Sequence, residues 1–90
     1  MNQTNGFAFF PTPEAEANLL RSLLNSRREL PALHPGDFTL PAHRLIWRAM
    51  VMLAYRNLWI DGQTVMAQLQ RSAPPGASGL AAAIEMVRSI

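Results

Sequence analysis

Apolar residues recur along most of this chain at intervals of three and four, the repeat of helices buried on one face. No β-branched alternation interrupts that repeat. In the first stretch Ala17, Leu20 and Leu24, with Leu19 and Leu23 beside them, form a wide apolar stripe. Thr12 can cap its start, Pro13 suits the first helical position, and Glu14 and Glu16 face the positive end of the helix dipole. Asn25-Ser26 stops it. A second helix is predicted from about Leu40 to Arg56, where Ala42, Ile46, Ala49, Met50 and Leu53 recur at helical spacing. Leu45, Trp47, Val51 and Met52 make its other sides apolar too, so this helix is expected at the centre, wrapped by others or by a second subunit. Asn57 tolerates the left-handed conformation that ends a helix, and Asp61 is placed to cap the next at Gly62–Arg71, with Val65, Met66 and Leu69 inward. Leu80, Ile84 and Val87 define a last helix that runs to the chain end.

The stretches between these helices read differently. Met1–Pro11 has no periodicity and reads as a mobile arm whose Phe7, Phe9 and Phe10 can dock elsewhere. Arg27–Leu33 has room for one short helical turn, His34-Pro35-Gly36 is a loop by its proline and glycine, and Ser72–Gly79 reads as a flexible linker. The expected fold class is all-α: a compact bundle of about four to five helices over residues 12–90, preceded by the arm 1–11.

Composition narrows the possibilities. Ninety residues, 49% apolar, make one small core, with no room beside it for an ATP site. Neither a GxxxxGK[ST] nor a GxGxxG run occurs. The absence of cysteine removes disulfides, thiolate catalysis and Cys-ligated zinc. With no apolar run near the roughly 20 residues of a membrane span and no basic start, a cytoplasmic address is expected, without membrane insertion or export. Eight arginines, no lysine and six acids leave a net charge of +2, so the high pI of 10.5 reflects arginine's pKa rather than a large charge excess. Charged residues, at 16%, fall below the roughly 25% usual in soluble domains, which points to surface covered by a partner.

Candidate chemistry is thin. His34, Asp37 and His43 form a histidine-carboxylate group across a loop-helix junction, short of the ligands zinc needs. Asp37 reads better as a turn or cap residue and His43 as a packed first-turn residue. Glu14 and Glu16 lie two apart and point to different sides, which suits the dipole and not an acid-base pair. No cofactor and no catalytic residue is assigned. Arg44, Arg48 and Arg56 at multiples of four, Arg27-Arg28, and a polar set of Gln63, Thr64, Gln68 and Arg71 make a small helical DNA-binding module the alternative function. For protein contact, Trp47 and Trp59 are the candidate anchors, with Arg44 and Arg48 as the charged candidates. The competing reading has Trp47 filling the core and Trp59 covering a loop.

In order along the chain stand Pro13-Glu14-Ala15-Glu16, Leu20-x3-Leu24, Pro35-x-Asp37-Phe38-x4-His43-x2-Ile46-Trp47-x-Ala49-Met50-x2-Leu53, and Ile60-Asp61-x2-Thr64-Val65-x3-Leu69. This series resembles the N-terminal domain of DnaB-type replicative helicases, whose pattern is EAE, then DF followed by H-x-x-I-F, then a loop and I/V-D-x-x-T-V/L-x-x-x-L. The resemblance covers roughly residues 13–70. It implies a small helical head and a non-catalytic role in replication: contacts to other helicase subunits in a homo-oligomer, and docking of primase or other replisome proteins. Asn57 and Trp59 stand where the family has a glycine and a proline, and Ser78-Gly79-Leu80-Ala81-Ala82-Ala83 where it has Gly-Gly-x-x-Tyr-Leu. The family's following two-helix hairpin and its ATPase domain have no counterpart in these ninety residues. Two origins fit, an excised head of a longer helicase or a small natural phage or mobile-element protein. The abrupt end inside an apolar helix favours the first.

Overall fold

A computed structural model describes residues 12–25, 30–74 and 76–89, and the arm 1–11 with its three phenylalanines lies outside them. The first helix, α1 (Pro13–Leu23), starts where Thr12 Oγ1 accepts the Ala15 N–H at 3.1 Å, with Pro13 in the first turn. Its buried face carries Leu20, Leu23 and Leu24, and also Glu16. Of the short turn expected over Arg27–Leu33, residues 27–29 fall outside the description and 30–33 are not helical. The loop expected at His34-Pro35-Gly36 is a turn of 3-10 helix, Pro35–Asp37. Its closure is reciprocal: His34 Nδ1 accepts from Gly36 N–H at 3.0 Å, and Asp37 Oδ2 accepts from His34 N–H at 2.8 Å.

The second helix, α2 (Pro41–Tyr55), packs against α1, the 3-10 turn and the two helices that follow. Ala42, His43, Ile46, Trp47, Ala49, Met50 and Leu53 form its buried side. The helix ends in a paired closure: Asn57 adopts φ 59°, its N–H bonds Ala54 O at 2.9 Å, and Leu58 N–H bonds Leu53 O at 2.9 Å. Asparagine is thus doing there what a glycine does elsewhere, at modest steric cost. Asp61 then caps α3 (Gly62–Ser72) through Thr64, whose N–H reaches Asp61 Oδ1 at 2.9 Å while its hydroxyl accepts the Asp61 N–H at 3.0 Å.

The stretch expected as a flexible linker ends in close packing. Gly79 holds φ +83°, and a Cβ built there would lie 2.5 Å from Ala42 N and 2.9 Å from Pro41, so only a glycine lets the backbone lie against the first turn of α2. The last helix, α4 (Leu80–Arg88), buries Ala83 and Val87, while Leu80 and Ile84 are half-exposed. Its inner face is therefore rotated from the expected Leu80, Ile84, Val87 stripe, because the small Ala83 allows close approach to the core. Phe38 and Trp47 stack at 5.5 Å between centroids, tilted by 35°, inside a core shared with Leu20, Ile46, Met50, Ile60, Val65 and Leu69. Among the described residues no helix is long and apolar enough to cross a membrane.

Candidate protein-interaction surface

The charged group at the N-terminal end of α2 is internal. Glu16, placed by the sequence at the dipole of α1, is wholly buried and turned toward α2. The Thr39 N–H donates to both its oxygens at 3.0 Å, the Thr39 hydroxyl donates to Oε2 at 2.8 Å, and His43 Nδ1 lies 2.9 Å from Oε1. An ionised carboxylate can only accept, so Nδ1 carries the proton in this contact. Burial alone would raise the Glu16 pKa, but the hydrogen bonds from His43 and Thr39 together with the His43 charge outweigh it, and the pKa lies below the ordinary carboxylate value. Glu16 thus keeps its place in the first turn of α1, while its hydrogen-bond partners are on α2 and the loop before it. Glu14 stays exposed.

Arg44 reinforces the same junction. Its Nε donates to Phe38 O at 2.9 Å and its Nη2 to Thr39 O at 3.4 Å, holding the loop that carries Thr39 to Glu16. It clamps that loop and remains exposed. His34 and Asp37 are engaged with each other's turn and His43 with Glu16, so the three do not converge. Among the described residues no cluster of three potential metal ligands occurs.

The surface that is left open is apolar. Trp47, proposed as an interface anchor, is 1% exposed and fills the core against Phe38, a correction that follows from its place one turn beyond His43 on the buried face. Trp59 is 52% exposed at the turn between α2 and α3, beside Leu58 at 41%. Val51 and Met52 are also about two-fifths exposed, and Tyr55 is 90% exposed. These α2 residues line two hollows of about 360 and 380 Å³ that share Leu33, Trp47 and Val51, forming one groove between α2 and the segment at 30–35. The Trp47 Nε1–H is buried and has no hydrogen-bond partner among the described residues. Sequence reasoning missed Tyr55 and Thr39; the signal for Tyr55 was a helix with more apolar faces than so small a core can cover.

The polar set suggested for DNA does not form one face. Thr64 closes the α3 cap, Gln68 is 4% exposed and takes a 3.4 Å contact from Arg56, and only Gln63 and Arg71 of that set face solvent.

A family model for the DnaB-like helicase N-terminal domain matches residues 11–90. This chain belongs to that family. No significant match was found among curated proteins or among solved structures. Set on this DnaB-like domain, the motif residues divide cleanly. Glu16 and His43 join α1 to α2, and Asp37 closes the 3-10 turn. Asp61 and Thr64 cap α3, and Phe38, Ile46, Leu53, Val65 and Leu69 are core. The side chains that remain outward on α2 and its following turn include Arg48, Val51, Met52, Tyr55, Leu58 and Trp59.

Proposed function

We propose that this DnaB-like N-terminal domain is a non-catalytic contact module of DNA replication, joining helicase subunits and docking primase or another replisome protein. The domain bounds in this proposal are residues 12–90, with residues 1–11 preceding them. The observation that carries this reading is the run of large apolar side chains exposed along the outer side of α2 and at the turn after it, ending in Leu58 and Trp59. Contiguous exposed apolar surface of this kind marks a protein contact far more often than a phosphate contact. The DNA-binding alternative loses support, because two members of its polar set are engaged inside the fold and Arg44 is tied to backbone carbonyls.

The two functions separate by salt. Phosphate neutralisation makes DNA affinity fall steeply as salt rises, while an apolar interface responds little. Labelled single- and double-stranded DNA titrated at two salt concentrations should show no saturable binding in the micromolar range. Micromolar binding that collapses at the higher salt would overturn the contact-module reading in favour of DNA.

A further inference from the structure

The groove between α2 and residues 30–35 has three features that define its occupant. Its floor and walls are apolar: Leu33, Pro35, Trp47, Val51 and Met52, with Tyr55 at the far end. Among the described lining residues its charge is of one sign. Arg48 lines one end and is exposed, with no ion pair to any described residue, while Arg56 lies outside the lining and reaches Gln68 on α3 at 3.4 Å. No carboxylate is among the described lining residues: Asp37 is bound into the 3-10 turn, Asp61 into the α3 cap and Glu16 to His43. The third feature is a buried donor on a lining residue, the Trp47 Nε1–H, which has no acceptor among the described residues. The Trp47 ring is part of the lining of both hollows, so its N–H resonance reports on whatever fills the groove.

We propose that this groove receives a short apolar segment of a different protein, flanked by aspartate or glutamate side chains, one of which meets Arg48. The proposal rests on the contact-module reading and names the chemistry of one partner. A second copy of this chain fits the groove less well, since a two-fold pairing would bring Arg48 of both copies to one seam where no described lining residue is a carboxylate. An arginine offers a carboxylate two parallel donors, which suits it to recognise such flanks.

Two synthetic peptides test this on the full chain. Both have a centre of leucine and phenylalanine; one ends in aspartates and the other in lysines. The reporter is the Trp47 indole N–H resonance, read alongside fluorescence anisotropy. The aspartate-ended peptide should shift that resonance saturably and bind at least about tenfold more tightly than the lysine-ended one, the scale expected when a charge pair replaces a like-charge contact. Arg48→Glu should reverse the preference, and Tyr55→Ser should weaken both peptides; both side chains are exposed, so the fold is retained. The proposal is overturned if neither peptide shifts the Trp47 signal or if both bind equally with and without Arg48→Glu. A shift that grows with protein concentration in the absence of peptide also overturns it, by assigning the groove to a second copy. Failure of the peptides without DNA binding removes the groove assignment alone, whereas salt-labile DNA binding removes the module reading itself.

Discussion

A fully buried carboxylate in a ninety-residue domain is costly unless each of its oxygens is paired, and Glu16 meets that condition through Thr39 and His43. Removing its charge leaves the Thr39 and His43 donors without their acceptor. Glu16→Ala is therefore expected to destabilise the fold by about 3–5 kcal/mol, the range for breaking a buried pair. Urea unfolding monitored by circular dichroism measures it, and an unchanged midpoint would place Glu16 outside the core. The same contacts give a pH dependence of fixed sign. Because the folded-state pKa of Glu16 is lowered, its contribution is present above the unfolded value of about 4.3 and is lost as pH falls through the lower folded value. The melting temperature should drop as the pH is taken from neutral into that acid range, and the drop should be smaller in Glu16→Gln. Equal acid sensitivity in both proteins would assign it to other carboxylates. At this scale the sequence was only half legible. Glu16 stands four residues before Leu20 and seven before Leu23, which is the spacing of the buried face, but a carboxylate in a first turn is usually explained by the dipole alone. Its partners are 23 and 27 residues away, beyond the reach of local pattern.

The helices themselves were written plainly in the chain. Thr12-Pro13, Asn57 and Asp61-x2-Thr64 are local signals acting through local hydrogen bonds, so the bounds of α1, α2 and α3 follow from sequence to within two residues. Asp61→Ala removes the acceptor of the Thr64 N–H and should cost about 1 kcal/mol, lowering the thermal midpoint. A midpoint equal to that of the unaltered chain would mean α3 starts elsewhere. The connection before α4 was less legible, because its order comes from packing and not from its own residues. Gly79 looks like linker composition, yet its backbone lies against Pro41 and Ala42 with positive φ. Gly79→Ala should destabilise by more than the 0.4–1 kcal/mol or so that a compatible glycine-to-alanine change would gain, since both φ and space forbid the methyl. Stability equal to or above that of the parent would show that the 76–79 segment is free of α2.

On the scale of the whole molecule, one core holds everything together. Ile46 and Leu53 face it from the central helix, and truncating either to alanine should cost roughly 2–5 kcal/mol of the 5–15 kcal/mol a domain commonly possesses. Wild-type melting of both variants would contradict the packing. The core was legible because burial follows helical period, whereas the surface was not. The excess of apolar residues on α2 pointed to exposed apolar surface without saying which tryptophan supplies it; Trp47 lies one turn beyond His43 on the buried face and packs on Phe38, while Trp59 stays exposed. What remains outside, led by Leu58 and Trp59, carries the central claim that this domain meets other proteins through apolar surface. The most direct test is sedimentation of the chain over a range of concentrations, at low and high salt, beside Trp59→Ser. Self-association that persists in high salt and is weakened by Trp59→Ser is the predicted result. A monomer at every concentration, or a dimer that dissociates in high salt and ignores Trp59→Ser, would contradict it.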